Sequence, residues 1–247
     1  MGDIGMFKRN TIKKLAVTLG LVVFSVGLVF ASSNSGSGIS PDEALQKLMD
    51  GNKRYVDNKL TNAAKSDSAT RTSLAKSQKP YAIILSCSDS RVPPEVVFDK
   101  GLGEIFVVRV AGNIPDPVVI GSIEYAAEHL GSPLIMVLGH ERCGAVTATV
   151  DSKGKSTGSA NIDAIVKAIE PNVKLAGNDC EACKGEKKCA ETKKSDFVEC
   201  VIAANAKTVA SNLTKKSKII KHMVDANKIK IVSAKYDLDD GIVTLLK

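Results

Sequence analysis

A chain of 247 residues, 44% apolar and 25% charged, carries enough sequence for one sizeable buried core and has the composition of neither a disordered chain nor a repeat array. Of its formal net charge of +7, the first fourteen residues hold +3 (Lys8, Arg9, Lys13 and Lys14 against Asp3), so the remainder is only mildly basic. With 4% aromatics, no tryptophan and lysines interleaved with carboxylates, it lacks the makings of a stacking groove, and no nucleic-acid partner is expected.

In chain order, Lys8 to Lys14 is basic, Leu15 to Phe30 is apolar, and Val29-Phe30-Ala31 before Ser32 has the small residues of a cleavage site. Residues 1–31 therefore read as a signal peptide, and the folded part as exported to the periplasm or outside the cell, with no stable membrane insertion after cleavage. The competing reading is an uncleaved N-terminal anchor, because the apolar stretch approaches the roughly 17-residue minimum for a span. Residues 32–39, rich in serine and glycine, read as a flexible linker to a domain over 40–247. Ser40, Pro41 and Glu43 form a helix start, and Ala44, Leu45, Leu48 and Met49 an apolar stripe, which predicts an amphipathic arm over Pro41 to Asn58.

Ser73 to Ser77 is a short helical approach to an apolar run, Tyr81 to Leu85, that shows no wet face and reads as a buried strand. It empties into Ser86-Cys87-Ser88-Asp89-Ser90-Arg91. Glu95 to Phe98 is a helical turn, and Glu104 to Val110 a second strand that ends in Ala111-Gly112-Asn113. A helix over Val118 to Leu130 leads to a third strand, Leu134 to Leu138, followed by Gly139-His140-Glu141-Arg142-Cys143-Gly144 and a helix from Ala145. Helices are expected over Asn161 to Leu175, Val201 to Leu213 and Ser217 to Asn227, and strands over Lys228 to Ala234 and Gly241 to Leu246. This alternation predicts an α/β fold with a mostly parallel central sheet flanked by helices.

In such sheets ligands bind at the carboxyl ends of strands, which is where Cys87, His140 and Cys143 fall. Two thiols and an imidazole suit zinc, and three protein ligands leave a fourth position open. Alone, each would be an ordinary buried residue. Two apolar strands ending in such ligands, with Asp89 and Arg91 alongside, point to a metal site.

Cys87-Ser88-Asp89-Ser90-Arg91 together with Gly139-His140-x-x-Cys143-Gly144 resembles the signature of the β-class carbonic anhydrases, with similarity from about Gln78 to Val150. The resemblance implies Zn2+ on Cys87, His140 and Cys143, and an Asp89–Arg91 dyad that keeps the carboxylate off the metal. It implies a substrate site touched by Gln78, Phe106, Ala111 and Tyr125, some of these residues lent across the interface of a homodimer or higher oligomer; on physical grounds the backbone N–H near Gly144 joins Gln78 as a donor to the oxygen that gains charge. The implied reaction is the reversible hydration of carbon dioxide to bicarbonate and a proton. Alternatives are hydrolysis of carbonyl sulfide or carbon disulfide at the same ligands, and a non-enzymatic exported metal-binding or redox protein.

The polar segment 177–200 reads as an insertion holding Cys180, Cys183, Cys189 and Cys200. In an exported chain these form two disulfides, a second zinc site or free thiols. His129 and His222 lie outside the motifs and are given no proton-shuttle role.

Overall fold

The five runs read as strands lie in one sheet of order β2-β1-β3-β4-β5: β1 (Ala82–Ser86), β2 (Ile105–Arg109), β3 (Leu134–His140), β4 (Lys230–Tyr236) and β5 (Val243–Leu245). The computed structural model describes residues 36–180 and 193–247; the expected signal peptide, most of the linker's serines, Cys183 and Cys189 lie outside the described residues. The first four strands pair in parallel and β5 returns antiparallel on β4.

Every residue of β1 and β3 is buried. Alternation of side chains divides them between two cores. Ala82, Ile84, Leu134, Met136 and Leu138 pack with Ala44 and Leu48 of helix α1 (Pro41–Val56) and with Phe98, which follows the single helical turn α3 (Pro94–Val97). Ile83, Leu85, Ile135 and Val137 pack on the opposite face against α4 (Pro117–Glu128), α7 (Lys194–Lys216) and α8 (Lys218–Asp225). The arm therefore covers its own sheet. At the carboxyl edge a third cluster joins Cys87 and Cys143 to α5 (Gly144–Ser152), α6 (Ala160–Asp179) and the first turns of α7.

Several boundaries differ from the expected ones. β3 runs on through Gly139 and His140 because parallel pairing with β4 continues as far as Tyr236. The short helix α2 is Ser68–Leu74, set by Asp67 as N-cap, and Ser77 to Lys79 is irregular. The insertion at 177–200 is narrower than its composition suggested: α6 reaches Asp179 and α7 begins at Lys194. Ala176, Phe197 and Val198 are buried, and these few apolar contacts anchor helix ends whose other faces are charged.

Asp99 ties Thr61 and Asn62 to α1. Its side chain is wholly buried and accepts from Arg54 Nε (2.6 Å), Thr61 Oγ1 (2.8 Å) and the N–H groups of Thr61 and Asn62 (2.7 and 2.8 Å). Burial raises its pKa, but these donors outweigh burial and bring it from 3.8 to about 2. A depressed carboxylate contributes stability above its unfolded pKa and loses it as pH falls through the folded value. At roughly 1.4 kcal/mol per pH unit, about 2 kcal/mol is expected to vanish between about pH 4 and pH 2. Urea titrations across that window check it: Asp99→Asn should flatten the decline, and an equally steep decline would contradict the assignment.

Candidate metal centre

Parallel pairing of β1 with both β2 and β3 delivers three strand ends to one edge. Cys87 follows β1, His140 closes β3, and Cys143 is the residue on which α5 begins. The two sulfurs and an imidazole nitrogen of His140 lie within 4.8 Å of one another, and all three residues are buried. His140 Nδ1 is 2.8 Å from the Glu141 carbonyl oxygen, which can only accept, so the proton sits on Nδ1. Nε2 is left as a bare lone pair and, among the described residues, has no hydrogen-bond partner despite its burial.

That orphaned nitrogen tests whether a metal fits. An unpaired acceptor in the interior is costly, and a cation at the focus of Nε2 and two sulfurs removes the cost. The thiols agree with this. The hydrogen bond from Cys143, with help from the N–H groups of Gly112 and Asp89, holds the Cys87 thiol well below the usual thiol range against burial. The same bond, burial and the Cys87 charge push Cys143 up. One thiolate forms readily, and a cation is what allows the second.

Asp89 and Arg91 form a bidentate pair: Arg91 Nε donates to Oδ1 at 2.9 Å and Nη2 to Oδ2 at 2.8 Å, while the Arg91 N–H also reaches Oδ1 at 3.0 Å. These donors, the guanidinium first, hold the Asp89 carboxyl well below the usual carboxylate range. Its Oδ2 nevertheless lies 3.9 Å from His140 Nε2. The carboxylate is thus ionised, turned toward Arg91 and next to the metal position.

Several supporting residues escaped the sequence reading. Arg109, paired with Ser86 across the sheet, donates to the carbonyl oxygens of Cys87 (3.0 Å) and Asp89 (2.6 Å) and so fixes the loop backbone. A lone arginine ending an apolar strand was the available signal. Glu199 on α7 accepts the N–H of Arg142 (2.9 Å), whose φ is +50°, and pairs with Lys235 (3.2 Å), which also holds Glu141. Glu199 gave no signal, since a glutamate in a charged run reads as a solvated helix face.

The remaining expected site residues divide. Ala111 lies in the short turn beside Gly112, and Gly144 opens α5, both near the ligands in sequence and fold. Gln78 and Tyr125 line a separate surface cavity of about 760 Å3 together with His129; among the described residues, none of the ligands or the dyad lines it. The Phe106 ring lies 6.4 Å from that of Tyr125. Gln78 precedes β1 and Cys87 follows it, so the strand alone separates them by about 17 Å. Of the four remaining cysteines, Cys180 and Cys200 are joined in a disulfide that links the end of α6 to α7.

A family model described as carbonic anhydrase matches residues 82–243. Carbonic anhydrase 2 of Mycobacterium tuberculosis (strain H37Rv) is 36% identical over 207 residues, covering 83% of this chain and 93% of that protein. The β-carbonic anhydrase CcaA superposes with a TM-score of 0.65 over 82% of this chain and 95% of its own, at 23% identity. A structure from a study of two tetrameric β-carbonic anhydrases of Sordaria macrospora gives 0.62 over 83% and 97%, at 19% identity. These superpositions carry the fold, and the family model and the mycobacterial relative carry the membership. This chain belongs to the β-class carbonic anhydrase family.

Proposed function

We propose that the protein holds zinc on Cys87, His140 and Cys143 and catalyses the reversible hydration of carbon dioxide to bicarbonate and a proton. The observation that carries this reading is the partnerless His140 Nε2, buried with two sulfurs beside a carboxylate clamped by an arginine. Zinc supplies Lewis-acid chemistry that eases ionisation of water, an effect of which carbonic anhydrases are themselves the standard example. Asp89 accepts a proton at the oxygen nearest the metal position while Arg91 keeps it ionised. The Gly144 N–H and the Gln78 amide are the donors to the oxygen that gains charge. Stopped-flow measurement of carbon dioxide hydration, set against sulfide release from carbonyl sulfide, tests the substrate. Hydration should dominate; carbonyl sulfide turnover without hydration would overturn the assignment to carbon dioxide.

Because Gln78 and Tyr125 lie at the other end of β1 from the ligands, we assign them, with Phe106, to the site of a second copy in a dimer. The tetrameric assembly named for the Sordaria macrospora enzymes supports association in this fold. Gln78→Ala and Arg91→Ala chains should each be nearly inactive. When they are co-expressed, mixed dimers contain one site with both defects and one intact site, so about a quarter of wild-type activity should return. No recovery in verified mixed dimers would contradict the shared site.

The same reading takes the domain outside the cytoplasm. The Cys180–Cys200 disulfide supports export, since such bonds persist in oxidising compartments. N-terminal sequencing of the mature protein should begin at Ser32; a chain retaining residues 1–31 in the membrane fraction would favour the anchor instead. Among the described residues no helix is long and apolar enough to cross a membrane.

A further inference from the structure

We infer that Asn205, buried on α7, is a positioning residue for the Cys87 thiolate, acting through Gly112. Asn205 is 2% exposed and donates from Nδ2 to the Gly112 carbonyl oxygen at 2.9 Å. Its Oδ1 accepts from Nδ2 of Asn172 on α6, also at 2.9 Å and also buried, and this fixes the amide with its nitrogen toward Gly112. Gly112 in turn donates its N–H to Cys87 Sγ at 3.4 Å.

The local backbone needs such a hold. Gly112 has a φ of +68°, and a Cβ there would lie 2.6 Å from Ile169 Cδ1, so only glycine brings an N–H to the sulfur this way. Burying an amide pair among otherwise apolar side chains costs free energy, and among the described residues Asn172 Oδ1 has no partner. The pair holds the Gly112 carbonyl directly and, through the fixed backbone turn at Gly112, the direction of the N–H in the preceding peptide.

The chemistry follows from the donor set, and it rests on the zinc reading proposed above. Two thiolates already cancel the charge of a zinc ion. A hydrogen bond to one sulfur draws electron density away from the metal and leaves it a stronger Lewis acid, which is how partners of a ligand tune a bound ion. Asn205 and Asn172 belong to different helices, so α6 and α7 together set the electronic character of a ligand that neither carries.

The test uses the full chain loaded with cobalt(II), whose sulfur-to-cobalt charge-transfer band reports on the thiolates, and measures zinc affinity by chelator competition. Asn205→Ala should shift the band to lower energy, because sulfur electrons lose a stabilising N–H, and should weaken zinc binding about 10–100-fold. Asn172→Ala should shift it the same way by less, and decides the matter if Asn205→Ala does not fold. Asn52→Ala is the control: that buried amide on α1 holds Val97 and Gly241 on the other face of the sheet, so its loss should lower thermal stability and leave the band in place. An unmoved band and unchanged affinity in the folded Asn205 and Asn172 variants overturn the inference. If the cobalt-loaded wild type shows no charge-transfer band, the zinc reading itself fails and the inference falls with it.

Discussion

Arg91→Ala is expected to retain zinc while losing carbon dioxide hydration by about 100-fold or more, the range that a positioned proton-transfer group contributes. The loss should come from Asp89 and not from collapse of the loop. Arg109 still holds the carbonyl oxygens of Cys87 and Asp89, and Arg91 is half exposed, so removing it costs little stability. What disappears is the bidentate clamp on a carboxylate whose Oδ2 lies 3.9 Å from His140 Nε2. Freed, that oxygen would be able to compete with water for a metal held by Cys87, His140 and Cys143. The pH dependence carries a sign as well. Arg91 is the largest cause of the depressed Asp89 pKa, so where the unclamped carboxyl stays off the metal it takes up its proton at higher pH, and the acid limb of the residual activity, which comes from those molecules, should move up. Zinc analysis with stopped-flow rates across pH checks both points; full activity in a zinc-loaded variant would sink this role for Arg91.

Cys143→Ser has the second large effect, and it falls on the metal. A serine hydroxyl fits the volume, but it stays protonated where a thiolate is required. Losing a direct ligand should weaken zinc binding by more than the roughly 10–100-fold that loss of a ligand's supporting partner costs. The variant is expected to fold, because the Cys143 side chain makes no cap on α5, and to leave dialysis against a mild chelator without zinc and without activity. Retention of both would remove Cys143 from the ligand set.

Much of this site was legible in the sequence because its chemistry sits at strand ends. A run such as Leu134 to Leu138 advertises burial, and a parallel sheet sends every such strand to one edge, so Cys87 and His140 had to meet. The Asp89–Arg91 pair was readable because its partners lie two residues apart. The helical boundaries around the cysteine-rich insertion were not, since α6 and α7 are held there by a few buried side chains in a charged background. Asn172, Asn205, Glu199 and Arg109 were illegible for another reason: each acts on a loop distant in sequence, and an asparagine on a helix carries no mark of whether its amide meets water or a buried carbonyl. The separation of Gln78 from Cys87, by contrast, was open to view, since the run from Tyr81 to Leu85 reads as an extended strand lying between them.

The most direct measurement is carbon dioxide hydration by the purified chain before and after removal of its metal, with zinc content determined alongside. Rate and zinc content should fall together on chelation and return together when zinc is restored, with no recovery in Cys143→Ser. Hydration that persists in the metal-free chain, or a zinc-loaded chain with no rate above buffer, would contradict the proposed function.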